Sequence, residues 1–279
     1  MCIFNKKEQN QNISQERKKY LKRNKINKRA VRGTQLFILF FIFFIWEVTG
    51  RLGLIDTFIM SQPSRILNTI LNFRSNELLM HVGVTFFETI VGFTIGILLG
   101  IIVALFLWWS DFFGKVFDPY LVMLNALPKI ALGPVIIIWV GAGMQAVIVM
   151  ALAISLIVTI MEMLNGFKTT DKELIKMAKT LGANKLQIFT KIVFPYNLST
   201  LFNGMKINIG LTLVGVIAGE FLVSRAGLGY LIIYGGQVFQ MDIVMTSVLV
   251  LAVLAALLYQ MVVFLEFITL YRFRAKKGE

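Results

Sequence analysis

The sequence has few of the residues from which most catalytic and metal sites are built. It contains one cysteine, Cys2, and one histidine, His81, in 279 residues. A single cysteine cannot form an internal disulfide, and a lone histidine without clustered cysteines does not form a common zinc site. A phosphate-binding loop of the form GxxxxGK[ST] is also missing. We therefore expect no cofactor bound by this chain and no enzymatic activity in it.

Acidic residues are scarce as well. Only 15 Asp and Glu stand against 28 Lys and Arg, which gives a net charge of +13. A basic chain can bind nucleic acid, but here the basic residues cluster at the N-terminus, in one middle segment and at the C-terminus. This distribution is typical of the cytoplasmic flanks of membrane spans. We predict no nucleic-acid partner, and basic cytoplasmic tails over residues 1–33 and 272–279, the first too polar to fold by itself.

Apolar side chains are abundant and make up 57% of the sequence. They fall in long runs, and a helix needs about 20 such residues to cross a hydrocarbon core of about 30 Å. Continuous runs differ from the alternating pattern of a membrane β-barrel. The sequence therefore predicts an all-α integral membrane protein in the lipid bilayer, with about six transmembrane helices between residues 34 and 271. The expected spans are residues 34–50, 82–109, 117–140, 144–164, 198–222 and 243–270.

The positive residues also predict an orientation. Residues 166–197 carry six lysines against two acidic residues, so this segment and both termini are expected on the cytoplasmic side. The third span is the least regular, because Lys129 and two prolines interrupt it. A continuous helix and a broken one both remain open for this span, since irregular backbone is tolerated in a membrane where protein or a water-filled path covers it.

The segment from residue 167 to 195 has the pattern of two short amphipathic helices. Thr170 and Glu173 are spaced as a capping box at the start of the first, and Gly182 suits a left-handed residue at its end. Asn184, with Gln187 three residues on, can cap the second, which Pro195 ends before the fifth span. By amphipathicity alone, such a pair of helices either rests on lipid headgroups or binds another protein.

This segment resembles the EAA loop of ABC importer permeases, which runs Glu-Ala-Ala, three residues, Gly, nine residues and Ile-x-Leu-Pro. The matching residues are Ala178, Gly182, Ile192 and Pro195, and the differing ones are Lys176, Met177 and Phe194. The resemblance implies a coupling loop at about residues 167–195 that docks into a groove on a separate ATPase, where ATP and Mg²⁺ would bind. Because Lys176 replaces an acidic residue, docking is expected to depend on Ala178, Leu181 and Gly182.

Two further stretches resemble the nitrate, sulfonate and taurine branch of these permeases. One is LPKIALGP at residues 127–134, and the other is GEF at residues 219–221 followed by GLGYL at residues 227–231. The resemblance implies a type I importer permease in a bacterial cytoplasmic membrane, with a second copy of the chain completing the path and an extracellular binding protein delivering the solute. Glu88 stands where many anion importers of the branch carry arginine, which favours a neutral or cationic organic solute.

Polar and charged residues inside the spans are costly in lipid and often line a polar path. The residues expected near a translocation path are Glu88, Asn125, Pro128, Lys129 and Glu220. Interactions that only stabilise the subunit would explain these residues equally well. A stand-alone secondary transporter or channel is the alternative function, although the sequence shows no repeat of the kind common in such transporters.

Overall fold

A computed structural model of the chain describes residues 15–71 and 77–276, and within them it contains helices and no strand. The chain forms two units, Met1–Arg65 and Ile66–Glu279. In chain order the α-helices are α1 (Gln15–Arg51), α2 (Thr57–Met60), α3 (Pro63–Leu71), α4 (Leu78–Trp109), α5 (Asp111–Ala126), α6 (Gly133–Val140), α7 (Met144–Lys168), α8 (Lys172–Thr180), α9 (Lys185–Ile188), α10 (Phe194–Tyr196), α11 (Leu198–Val223), α12 (Leu228–Gln237) and α13 (Met241–Lys276). A 3-10 turn, Lys129–Leu132, precedes α6, and a π-helical turn, Phe189–Val193, precedes α10.

Helix α1 contains the predicted first span but is longer than expected. It begins at Gln15, so residues 15–33 of the basic tail continue the helix of the apolar segment and do not form a separate folded unit. The tail is rich in Lys, Arg and Gln, which are good helix formers, and a helix nucleated in the apolar segment extends into them at little cost. Large apolar side chains in its second half are exposed, including Phe37 and Phe40. This exposure suits a helix that faces lipid.

Helices α4, α7, α11 and α13 are long and apolar enough to cross a membrane, and they coincide with four of the predicted spans. The third predicted span is broken: α5 and the stretch Lys129–Val140 meet at an angle of 87°. The break lies at Leu127, whose ψ of 134° is extended. Its neighbour Pro128 disfavours the helical conformation at the preceding residue, so the helix ends there. With α1 and the bent pair, the described residues provide up to six spans.

Small residues bring the central helices close together. A Cβ atom on Gly100 of α4 would lie 2.5 Å from the Thr159 side chain of α7. A Cβ atom on Gly215 of α11 would lie 2.6 Å from the Cα atom of Ala151 on α7. Such close backbone approach is how membrane helices gain packing contacts without a hydrophobic driving force between them. Helix α7 is therefore held between α4 and α11 by glycine contacts on both sides.

Helix α12 was not predicted, because it lies in a segment interpreted as an outer loop between the last two spans. It is ten residues long, too short to cross a membrane. Leu228 and Leu231 of this helix are buried in a cluster with Phe93 of α4 and Leu258 of α13. The helix is thus part of the packed core.

Candidate functional site

The first helix of the loop between α7 and α11 ends at a glycine corner. Gly182 has a φ of 79°, in the left-handed region that residues with a Cβ rarely adopt. Its amide donates to the carbonyl oxygen of Lys179 at 3.0 Å, and the Ala183 amide donates to the carbonyl oxygen of Ala178 at 3.0 Å. This pair of bonds is the Schellman motif that closes helix C-termini. The predicted left-handed conformation of Gly182 is confirmed.

The start of α8 differs from the prediction. Its capping residue is Asp171, whose side chain accepts a hydrogen bond from the Glu173 amide at 2.8 Å. Thr170 is only 2% exposed, and its hydroxyl accepts a hydrogen bond from the side-chain amide of Asn197 at 2.7 Å. The predicted capping box from Thr170 to Glu173 is therefore wrong, because the threonine turns inward to Asn197. That contact joins the two ends of the loop.

The second helix begins as predicted. The Asn184 side chain accepts from the Gln187 amide at 2.8 Å, and the Gln187 side chain accepts from the Asn184 amide at 2.9 Å, which is a complete capping box. The helical run does not stop before Pro195, however. It continues through the π-helical turn into α10, which contains Pro195 and ends at Tyr196 shortly before α11.

Phe189 anchors this loop to the ends of the membrane helices. Its ring centroid lies 5.3 Å from that of Trp108 on α4 and 5.3 Å from that of Phe167 on α7. Ile188 and Val193, on either side, are buried in the same apolar cluster. The loop is therefore packed into the protein on its inner side, and it does not merely rest on a lipid surface.

The outer side of the corner presents apolar side chains. Met177 is 54% exposed and Leu181, directly before the corner glycine, is 79% exposed. Leu186 of α9, which follows on the other side of Gly182, is also exposed. Exposed apolar groups on a rigid support are typical of sites that bind another protein.

The predicted loop residues divide between these two sides. Met177, Leu181 and Gly182 lie on the outside, whereas Ala178 is buried, and Ile192 and Pro195 are half-buried. Lys176 is exposed on a different face of α8, where it lines a cavity with other lysines. Whether these residues contact an ATPase stays a prediction.

A second polar cluster surrounds Glu220 at the C-terminal end of α11. The side chain is 1% exposed. One carboxylate oxygen accepts a hydrogen bond from the Thr85 hydroxyl at 2.6 Å, and the other accepts one from the Gly229 amide at 2.5 Å. The Thr85 hydroxyl in turn accepts from the Leu228 amide at 2.8 Å. Glu220 and Thr85 therefore hold the first amides of α12, which have no partner within their own helix.

His81 completes the support of α12. Its Nδ1 atom accepts a hydrogen bond from the Gly227 amide at 2.9 Å. Gly227 has a φ of 115°, and a Cβ atom there would overlap the carboxyl group of Glu220. A negative carboxylate at a helix N-terminus also interacts favourably with the helix dipole. Sequence reasoning missed this role of His81 and Thr85, since α12 itself was not expected.

Glu88 lies beside Glu220. It is 1% exposed, and its side chain is within hydrogen-bonding reach of the Glu220 carboxyl group. One of its carboxyl oxygens has no hydrogen-bond partner among the described residues. The structure thus brings these two predicted path residues together, but inside the subunit. Their role in a path stays a prediction, and the buried position of Glu88 lends no support to a neutral or cationic solute.

The other three predicted path residues form a separate group at the bend of the third span. The Lys129 Nζ atom donates to the backbone oxygen of Asn125 at 3.0 Å and to its side-chain oxygen at 3.4 Å. These bonds cross the break, next to Pro128. Asn125 and Pro128 are exposed and Lys129 is half-buried. Among the described residues, no hydrogen bond or ion pair joins this group to Glu88 or Glu220.

Comparison with known proteins identifies the family. Residues 96–272 match the family described as binding-protein-dependent transport system inner membrane component. A probable ABC transporter permease protein of Haemophilus influenzae is 30% identical over 225 residues, which cover 80% of this chain and 91% of that protein. The formylaminopyrimidine transport permease protein ThiX of Halalkalibacterium halodurans is 25% identical over 67% of this chain and 74% of its own length. The aliphatic sulfonates permease SsuC of Bacillus subtilis is 26% identical over 80% and 81%.

Solved structures have the same fold. The inward-facing MetNI methionine ABC transporter matches with a TM-score of 0.61 at 20% identity, over 68% of this chain and 94% of that one. A bacterial ABC transporter that imports the polysaccharide alginate matches with a TM-score of 0.60 at 15% identity, over 87% and 97%. The family match over residues 96–272 includes the loop with the glycine corner. The chain therefore belongs to the binding-protein-dependent inner membrane components, and it is a permease subunit of an ABC importer.

Proposed function

We propose that this permease subunit pairs with a second copy of itself, and that each copy docks its loop, α8 to α10, into a groove on a separate cytoplasmic ATPase. The observation that carries the proposal is the glycine corner at Gly182, which presents Met177 and Leu181 to the outside from a rigid support. ATP and Mg²⁺ bind to the ATPase in this scheme, and the permease itself catalyses no reaction. The family model, matched over residues 96–272, supports ATPase and binding-protein partners in general terms.

The packing of the loop explains how force reaches the spans. Phe189 is wedged between Trp108 of α4 and Phe167 of α7, so a displacement of the loop moves the ends of both helices. Helix α7 also contacts α11 along closely packed glycines. Closely packed helices move as rigid bodies, which is the form of motion that alternating access requires. ATP-driven closure of the ATPase is thereby coupled to rocking of the permease.

For the path itself, we place the solute beside the bend of the third span, near Asn125, Pro128 and Lys129. These residues are accessible in the single chain and would face the second copy across a shared two-fold axis. An extracellular binding protein delivers the solute to the outer side of the membrane. Both termini of the permease lie on the cytoplasmic side. The relatives named for formylaminopyrimidine and aliphatic sulfonates support a small organic solute.

The test compares two substitutions at the corner. Gly182→Val places a β-branched residue at a φ of 79°, whereas Gly182→Asn places there a residue that tolerates this conformation. No atom lies within 4 Å of a Cβ added at Gly182, so neither variant clashes with the fold. Valine in this conformation adds about 1–2 kcal/mol of backbone strain, so we expect the loop to lose the tight turn at residue 182. We expect it to reduce co-purification of the ATPase and substrate-stimulated ATP hydrolysis by at least tenfold, and the asparagine variant to keep both.

The measurement is made on the complex expressed from its own subunits and purified in detergent. Both permease variants should elute at the same volume as the unaltered chain, which controls for folding. A valine variant that retains its ATPase partner and full coupling would show that the corner is not the docking element. An asparagine variant that loses both would contradict the conformational argument.

A further inference from the structure

The structure contains a cavity of about 590 Å³ to which the proposed transport mechanism assigns no ligand. It lies where α4 ends and α5 begins, and α8 forms its other wall. Its floor is apolar and consists of Leu107, Trp108 and Phe167 at the ends of two membrane helices. The volume lies within the range of about 300–1,000 Å³ that is usual for small-molecule sites.

The rim of this cavity is strongly basic. Five lysines line it, namely Lys115, Lys168, Lys172, Lys176 and Lys179, and the only acidic lining residue described is Asp111. Lys168 lies 3.6 Å from Asp118, but the other four lysines make no ion pair with any residue that the structure describes. Like charges around one cavity repel each other, and a bound anion relieves that repulsion. The cavity is therefore electrostatically suited to an anion.

Three of the lysines come from one face of α8. Lys172, Lys176 and Lys179 are spaced four and three residues apart, which stacks them along the same side of the helix. Lys176 is the residue that stands in place of the acidic residue of the EAA pattern. The lysine at position 176 matters for the cavity, because an acidic side chain there would weaken its positive potential.

The floor indicates what kind of anion fits. Trp108 and Phe167 belong to the ends of membrane spans, and tryptophan at a span end marks the level of the lipid headgroups. Basic pockets between membrane helices at this level are suited to anionic headgroups. An apolar floor beneath a ring of lysines matches an amphipathic anion better than a small soluble one. We propose that this cavity binds the phosphate headgroup of an anionic phospholipid.

This site is separate from the proposed ATPase contact. Met177 and Leu181 point away from the cavity lining, so the two faces of α8 are available at the same time. The proposal depends on the location of the chain in a membrane and does not depend on ATPase docking. A lipid bound there would hold α8 against the ends of α4 and α7.

The test uses the full chain purified in a neutral detergent. Native mass spectrometry measures binding of phosphatidylglycerol, phosphatidylcholine and inorganic phosphate. We expect phosphatidylglycerol to bind at least tenfold more tightly than phosphatidylcholine. The double variant Lys172→Gln/Lys176→Gln should weaken phosphatidylglycerol binding about 25-fold, since each lysine near an anionic headgroup contributes roughly fivefold.

A matched control removes the same charge elsewhere. Lys22 and Lys191 are exposed and lie outside the cavity lining, so Lys22→Gln/Lys191→Gln should bind phosphatidylglycerol as the unaltered chain does. An equal loss in both double variants would overturn the site in favour of general charge attraction. Lysine-dependent binding of inorganic phosphate at the same strength as phosphatidylglycerol would overturn the lipid assignment. If the cavity variant aggregates, the single variants Lys172→Gln and Lys176→Gln each test the proposal through a fivefold loss.

Discussion

Replacing Glu220 with alanine removes the acceptor that holds the start of α12. The Gly229 amide and the Thr85 hydroxyl both donate to this carboxylate. Burying an amide without a partner costs about 1–3 kcal/mol, and losing the hydroxyl bond costs about 1 kcal/mol. Removing the contact with the neighbouring Glu88 carboxyl group recovers part of this lost free energy. We therefore expect Glu220→Ala to lower the free energy of unfolding by about 2–3 kcal/mol.

Two measurements on the purified chain in detergent check this value. Denaturant unfolding gives the change in stability, and hydrogen exchange reports the amide of Gly229, which should exchange faster. Glu220→Gln retains one acceptor oxygen and should lose only about 1–2 kcal/mol. The matched control is Glu162→Ala on α7, because one buried oxygen of Glu162 has no hydrogen-bond partner among the described residues. Its removal should cost less than about 1 kcal/mol.

The reasoning would be refuted by equal destabilisation in Glu220→Ala and Glu162→Ala. It would also be refuted by unchanged exchange at Gly229 in the Glu220→Ala variant, since that amide donates directly to Glu220 at 2.5 Å. Either result would mean that α12 is held by its apolar contacts alone. Leu228 and Leu231, which are buried in the cluster with Phe93, would then be the residues to examine.

Phe189→Ala should destabilise the chain by about 3–5 kcal/mol, because the ring packs between Trp108 and Phe167. Trypsin cleavage in the loop should accelerate accordingly, whereas Leu186→Ala, at an exposed position, should leave cleavage unchanged. Lys129→Met should reduce solute uptake by reconstituted complex at least tenfold while assembly with the ATPase stays intact. Normal uptake by that variant would remove Lys129 from the path.

Local patterns in the sequence predicted local structure well. The spans at α4, α7, α11 and α13 follow from continuous apolar runs, because lipid demands such runs whatever the tertiary fold. Gly182 and the Asn184 cap were also predictable, since both depend on bonds to residues within five positions. The family resemblance carried the function for the same reason, because each of its motifs lies within one short segment of the chain.

Predictions failed where a distant residue decides the outcome. Thr170 has the right spacing for a helix cap, but its hydroxyl instead accepts a hydrogen bond from Asn197, 27 residues away. The bonds from the Thr85 hydroxyl to Glu220 and from the Gly227 amide to His81 join residues 135 and 146 positions apart. A sequence pattern does not show which of several buried polar groups will meet, because that depends on how the helices pack.

The loop between α7 and α11 illustrates the division. The sequence by itself determined that two short helices meet at a glycine and that Asn184 caps the second, since that cap and the left-handed corner depend only on local hydrogen bonding and steric fit. Only the tertiary structure decided which side of the pair is buried under Phe189, which side exposes Leu181, and which side turns its lysines toward a cavity. Those assignments depend on where the ends of α4 and α7 stand. Their positions are set by close contacts between helices far apart in the chain.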